Sequence, residues 1–184
     1  EAFLDAEDEG QHWLLVADLD GALLPFSQLR VRARDLLNTP LPGEYLILVE
    51  NERCLHQLPR TPDTIAVLGS GLNLTWLQAS WLSTRAVAYW GDLDTWGLVI
   101  LGHARQQLPH LTPLLMDQAT FKMFSSSSAV QEPRPAPDAL PPGLLNSEAG
   151  LYNLLKESAR GRLEQEFIPA ASVHEAVIKW KAQS

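Results

Sequence analysis

The chain has 184 residues, with 14 Lys+Arg against 22 Asp+Glu and a formal net charge of -8. Hydrophobic residues make up 46% and charged residues 20%, a balance that suits one globular domain of the α/β or α-rich kind, large enough to bury its own core. The single cysteine, Cys54, excludes an internal disulfide and a cysteine-built zinc site, no apolar run reaches the roughly 18 residues of a membrane helix, and the acid excess argues against coating nucleic acid by charge alone.

The N-terminal EAFLDAEDEG is acidic where a signal peptide would be basic and apolar, and it lacks an initiator Met, so the chain is expected to be cut from something longer. WLLVA (13–17) reads as a strand and DLDGALLPF (18–26) as turn and loop. QLRVRARDLLNT (28–39) suits either helix or strand; as a strand it would align Arg30, Arg32 and Arg34 on one face. After the turn LPGE the pattern becomes regular. YLILVE (45–50) is a continuous apolar run ending in an acid, and NERCLHQL (51–58) has helical composition. TIAVLGSG (64–71) is a second run, ending in glycines, and LNLTWLQASWLS (72–83) spaces Leu74, Leu77 and Trp81 as a helix does. AVAYWGDLD (86–94) is a third run ending in acids, TWGLVILGHARQQL (95–108) is a helix, and LTPLLMD (111–117) is a fourth strand-like run.

Strand and helix thus alternate three times before a last strand. That order predicts a parallel sheet of about four strands flanked by helices, with right-handed crossovers. FSSSSAVQEPRPAPDALPPG (124–143) is Ser/Pro-rich and reads as a long loop, a mobile functional segment or a spacer. SEAGLYNLLKESARGRLEQEF (147–167) reads as a helix capped by Ser147 and stopped by Pro169. SVHEAVIKWKAQ (172–183) is the final helix, with Ser172 and Glu175 spaced as a capping box.

The acids carry the functional signal. Ligands of open α/β sheets bind outside the carboxyl ends of the strands. Glu50 stands at one such end, and Asp92 and Asp94 stand at another. The run between them ends in Gly69-Ser70-Gly71, which lets backbone approach closely. Three converging carboxylates repel one another unless a cation sits among them. Mg²⁺ and Mn²⁺ take such oxygen ligands and characteristically support phosphoryl-transfer chemistry. The bland alternative is three solvated loop acids.

LILVENE (46–52), AVLGSG (66–71) and YWGDLDTWGLVIL (89–101), in that order, resemble the Toprim domain. That is the metal-dependent catalytic module of type IA and II topoisomerases, DnaG primases, OLD nucleases and topoisomerase VI A subunits. V-E-N (49–51), G-D-x-D-x-x-G (91–97), L-L-M-D (114–117), R-L-E-Q-E-x-I-P (162–169) and LRVRARDLL (29–37) are similar to the JetD family, the nuclease subunits of Wadjet plasmid-defence systems. The resemblance covers most of residues 25–170, and the 124–143 loop has no counterpart in it. It implies an α/β, Rossmann-like Toprim fold. It also implies a Mg²⁺- or Mn²⁺-dependent endonuclease of the bacterial cytoplasm, away from any membrane. Such an enzyme cuts double-stranded plasmid DNA extruded by the SMC-type complex JetABC, and a homodimer is expected by analogy with topoisomerase VI.

By the same resemblance Glu50 is a metal ligand or general acid/base, Asp92 and Asp94 are metal ligands, and Glu164 or Glu166 is a further ligand or support. Asn51, Gly69, Gly71, Gly91, Gly97 and Asp117 support the site, and Arg30, Arg32 and Arg34 suit contacts to DNA phosphate or, equally, solvated or ion-paired faces. Asp117 equally suits a helix cap, and Arg160 and Arg162 suit phosphate contacts or ion-paired faces. JetD proteins are longer, with N-terminal DNA-binding parts. Residues 1–40 are therefore read as an extension or linker toward such domains and 41–184 as the catalytic domain. None of Tyr45, Tyr89 and Tyr152 is an obvious nucleophile, which favours hydrolysis over reversible strand passage.

Two rival readings stand beside this one. DLDGALLP (18–25) imitates the opening motif of a haloacid-dehalogenase phosphatase, with Asp18 as nucleophile and Asp20 as acid/base. That fold needs Ser or Thr at the end of the next strand, where this chain has Glu50. The other is a non-catalytic DNA- or partner-binding domain. His56, His103 and His110 are read as structural, and Trp76, Trp81, Trp90 and Trp96 as core.

Overall fold

The computed structural model describes residues 12–69 and 74–184. Its centre is a six-stranded mixed sheet. In chain order the strands are β1 (Trp13–Asp18), β2 (Gln28–Arg32), β3 (Tyr45–Val49), β4 (Thr64–Leu68), β5 (Ala86–Trp90) and β6 (Thr112–Pro113). Across the sheet they run β2-β1-β4-β3-β5-β6. The four apolar runs of the regular region form its parallel part, and β1 lies antiparallel to both β2 and β4. The expected α/β sheet is therefore present, widened by an antiparallel hairpin. Leu46, Ile47, Leu48 and Val49 of the central strand are fully buried, as are Ile65, Ala66, Val67 and Leu68 of β4. Strands covered on both faces need continuous apolar sequence rather than alternation.

Among the described residues four α-helices accompany the sheet: α1 (Thr95–Gln107), α2 (Gln118–Ser128), α3 (Asn146–Glu157) and α4 (Ala170–Gln183). No helix among the described residues is long and apolar enough to cross a membrane. The connections β3–β4 and β4–β5 hold no α-helix among the described residues. They use 3₁₀ turns at Glu52–Gln57, Thr75–Gln78 and Ser80–Thr84. Asn51 starts the first by accepting the Arg53 N–H, and Pro59 and Pro62 leave no room to lengthen it. Between the other two, Ala79 leaves the helical region with ψ 126°, which lets Trp76, Leu77 and Leu82 all enter the core. Burial of three large side chains outweighs the helical spacing there.

Other expectations shift for equally local reasons. β2 ends at Arg32, so Arg34 leaves the strand for a 3₁₀ turn (Ala33–Leu37) and does not share its face. β6 keeps only two residues of LTPLLMD: Pro113 has no N–H to donate, and Leu115 takes a left-handed φ of 57°. Residues 124–128 of the Ser/Pro-rich segment belong to α2. The helix expected over 147–167 stops at Glu157. At Gly161 a Cβ would lie 2.2 Å from the Leu155 carbonyl oxygen, and the chain then pairs Arg162 with Val130 and Leu163 with Leu93. Glu148, not Ser147, caps α3 by accepting the Leu145 N–H. Pro169 begins α4 instead of ending a helix, which leaves Ser172 inside its first turn. Trp76 and Trp90 are core, whereas Trp96 is 39% exposed.

Asp18 ends β1 and gathers the loop after it. Its Oδ1 accepts the N–H groups of Asp20 and Gly21, and its Oδ2 those of Leu23 and Leu24, at 2.8–3.0 Å. Burial opposes the charge, but the four donors hold the carboxyl below its ordinary range. Asp20 accepts the Asp63 N–H. Both acids of the phosphatase-like motif are thus committed to loop structure, on a strand antiparallel to its neighbours. Asp18→Ala is expected to lower unfolding free energy by about 1–3 kcal/mol in a denaturant titration, because four backbone donors lose their acceptor.

Candidate metal centre

The site is built where β3 and β5 end. Their register sets Val49 beside Trp90, and the Glu50 N–H continues the ladder to the Trp90 carbonyl at 3.1 Å. Glu50 and Asp92 therefore leave the sheet side by side. Glu50 Oε2 accepts the Asp92 N–H at 3.1 Å and the Tyr89 hydroxyl at 3.2 Å. Gly91 makes this approach possible, since a Cβ there would lie 2.5 Å from the Tyr89 hydroxyl and 2.8 Å from Glu50 Oε2. Asp94 is the N-cap of α1, its Oδ1 accepting the Gly97 N–H at 2.7 Å. A Cβ on Gly97 would lie 1.9 Å from the Asp92 carbonyl oxygen, so only glycine allows the helix to start this close. Gly69, at the end of β4, has φ 80° and donates its N–H to the Val49 carbonyl. Gly71 lies outside the described residues.

The late segment closes the site. Gln165 is fully buried, although the sequence reading passed over it in favour of its acidic neighbours. Its N–H donates to Asp92 Oδ1 at 2.9 Å, its Nε2 to the Trp90 carbonyl at 2.8 Å, and its Oε1 accepts the Asn51 N–H at 3.1 Å. Glu166 accepts the Asn51 amide at 2.7 Å, and Glu164 pairs with Arg162 at 3.2 Å. Arg162 also reaches Asp92 at 3.1 Å and Asp94 at 3.3 Å.

Glu50, Asp92, Asp94 and Arg162 line one cavity of about 310 Å³, whose remaining wall is Trp96 and the stretch Glu132–Arg134. The Ser/Pro-rich segment is thus a wall of the site and not a spacer. Thr95 holds it: its hydroxyl donates to Glu132 Oε1 and accepts the Ala136 N–H, both at 2.7 Å. The Trp96 indole donates to the Arg134 carbonyl at 2.8 Å. Glu132 is 8% exposed and is the acid that sequence reasoning missed. Its only signal was an acid set in an otherwise Pro-rich stretch. Glu164 and Glu166 do not line the cavity. Asp117 caps α2 by accepting the Thr120 N–H at 2.7 Å. The basic stripe is ion-paired: Arg30 forms a double hydrogen bond to Glu52, and Arg32 and Arg34 both reach Asp35.

Crowded, partly buried acids give up their protons at higher pH than free ones. Burial, then the charges of Asp92 and Asp94, push Glu50 up to about 7 against the pull of its two donors. Burial lifts Asp94 to about 6; Glu132 and Asp92 add to the rise, and the Gly97 N–H and Arg162 oppose it. Oxygen donors that repel one another suit a hard divalent cation such as Mg²⁺ or Mn²⁺. Among the described residues, however, no three Asp, Glu, His or Cys side chains stand close enough to share one ion as placed. Arg162 supplies the positive charge instead. The donor chemistry fits a cation, and its entry would require rearrangement of these side chains.

A family model described as "Wadjet protein JetD, C-terminal" matches residues 5–177, nearly the whole chain. No curated protein matches it.

The raised carboxyls fix a pH dependence. A carboxyl that holds its proton more tightly folded than unfolded stabilises fully below its unfolded value, and that stability is lost as pH rises through the folded value. In buffer free of divalent ions, Tm is expected to fall from about pH 4.5 to about pH 7, the window bounded below by the ordinary Glu value and above by that of folded Glu50. Glu50→Gln, neutral and of the same shape, is expected to flatten the fall and raise Tm at its upper end, as read by calorimetry across that range.

Proposed function

Because the chain belongs to the family of C-terminal domains of the Wadjet protein JetD, we propose that it is the Toprim-type catalytic domain of a Mg²⁺- or Mn²⁺-dependent endonuclease. Its substrate is double-stranded plasmid DNA presented by an SMC-type partner complex. One observation carries the reading: Glu50, Asp92 and Asp94 converge on one cavity at the carboxyl ends of adjacent parallel strands, with their charges incompletely compensated. Asp92 and Asp94, with Glu50 beside them, would hold the ion. When bound, it supplies charge stabilisation to the phosphate oxygens.

The chain's own residues divide the remaining work. Tyr89 and the Asp92 N–H orient Glu50 through Oε2, and Oε1 has no hydrogen bond among the described residues. A carboxyl near 7 is suited to take a proton from the attacking water or return one to the leaving oxygen. In the hydrolysis, a water O–P bond forms as the ester P–O bond breaks. The water proton is lost to a base and the leaving oxygen gains one.

The tyrosines support water as the nucleophile. Tyr89 is fully buried and donates to Glu50. Tyr152 is buried and donates to the Pro137 carbonyl. Tyr45 stacks edge-on against Trp180 beneath Lys181. None is placed to attack a phosphodiester. The overall charge of -8 is consistent with a cutting module whose grip on DNA comes through metal and through other domains.

The test is cleavage of supercoiled plasmid by the intact protein with its SMC-type partner and Mg²⁺ or Mn²⁺. Glu50→Ala and Asp92→Ala are each expected to lower the rate about 100-fold or more, equivalent to several kcal/mol of transition-state stabilisation. Full cleavage by either folded variant would defeat the proposal.

A further inference from the structure

One guanidinium stands where a metal ion would have to bind. Asp92 Oδ1 is engaged by the Gln165 N–H and Asp94 Oδ1 by the Gly97 N–H. Each aspartate is left with Oδ2. Arg162 holds both of these oxygens, Asp92 Oδ2 through Nη2 at 3.1 Å and Asp94 Oδ2 through Nε at 3.3 Å. These are the pair's two carboxylate oxygens with no backbone donor among the described residues, and a cation bound through them would compete with Arg162 for the same atoms.

The two contacts differ in kind. The one to Asp92 is a hydrogen bond. The Nε of Arg162 is buried and makes no hydrogen bond, so its pull on Asp94 is electrostatic without directional gain. The backbone of Arg162 is fixed by reciprocal bonds with Val130, at 2.8 and 3.0 Å, and Leu163 is fixed in the same way to Leu93. Movement is therefore confined to the side chain, which has a second acceptor in Glu164, half-exposed and away from the cavity wall. A flexible monovalent cation on two oxygens, with an alternative partner beside it, is suited to exchange with a divalent one.

We infer that Arg162 is an exchangeable counter-ion of the Asp92–Asp94 pair, which neutralises the two carboxylates in the metal-free protein and is displaced from their Oδ2 atoms when a divalent cation enters. The inference rests on the metal-site reading above and adds a competitor to it. It makes Arg162 a positioning residue that opposes metal binding, where a purely supporting role would have it assist.

The experiment is Mn²⁺ titration of the intact protein without DNA, by calorimetry and by the electron paramagnetic resonance of free Mn²⁺. Removing the competitor in Arg162→Ala is expected to tighten Mn²⁺ binding at least about fivefold, within the usual range of coupling between two sites. Arg162→Gln, which keeps most of the side-chain packing, is expected to do the same. Arg162→Lys, which keeps the charge, is expected to stay near wild type. In the absence of Mn²⁺ the two neutral variants are expected to melt below wild type, and saturating Mn²⁺ is expected to raise their Tm by more. Wild-type binding with equal or weaker affinity in both neutral variants overturns the exchange and leaves the metal site standing. No binding by wild type, Arg162→Ala or Arg162→Gln overturns the metal site itself, and the exchange with it.

Discussion

Like charges held together at the dry end of a sheet are the constraint on which the rest of this structure depends. β3 and β5 run parallel and level, so the residues that follow them leave the sheet together. Glu50 and Asp92 are then adjacent whatever their charge, and the start of α1 brings Asp94 to the same cavity. Coulomb repulsion is strong where water is partly excluded. The surroundings answer it piece by piece. Backbone N–H groups of Asp92, Gly97 and Gln165 each take one carboxylate oxygen, Tyr89 gives a hydroxyl, and Arg162 gives the only full positive charge in contact with the two aspartates among the described residues. The answer is incomplete: burial first, and then the neighbouring charges, push Glu50 and Asp94 above the ordinary carboxylate range.

That constraint explains features that would otherwise look incidental. Gly91 and Gly97 are required by clearance: a side chain at either would strike the atoms that orient Glu50 or close the turn into α1. Gln165 joins the late segment to both strand ends through three hydrogen bonds, and so sets Asp92 from a position 73 residues away. The Pro-rich wall is fastened at nearly every step: Val130 to Arg162, Glu132 and Ala136 to Thr95, Arg134 to Trp96, and Pro137 to Tyr152. Proline lowers the entropy lost in ordering such a segment, and the bonds come mostly from helices α1 and α3. A stretch with little apolar content can thus be a rigid part of a site.

The legible parts of the sequence were those with a local cause. Apolar runs long enough to fill a strand, bounded by turn residues, marked β3, β4 and β5, because a strand covered on both faces needs apolar residues without alternation. The acids were conspicuous because they interrupted those runs at one end. Helix periodicity was a weaker guide. Residues 51–58 and 72–83 have helical composition, yet neighbouring prolines and the burial of Trp76, Leu77 and Leu82 leave only 3₁₀ turns at Glu52–Gln57, Thr75–Gln78 and Ser80–Thr84 among the described residues. The expected helix through 162–167 gives way to pairing with Leu93 and Val130, contacts invisible from spacing. The same blindness drew attention to Glu164 and Glu166 while the buried residue was Gln165.

By itself, then, the sequence determined the α/β class, the strands of the parallel sheet and the placement of Glu50, Asp92 and Asp94 at their carboxyl ends, since each of these follows from a short run of neighbouring residues. Only the tertiary structure decided which groups would face those acids. Arg162 and Gln165 reach Asp92 across 70 and 73 residues, and Glu132 reaches Thr95, beside Asp94, across 37. Their approach is dictated by backbone pairing and by the need to satisfy buried polar atoms, neither of which leaves a periodic trace in the chain.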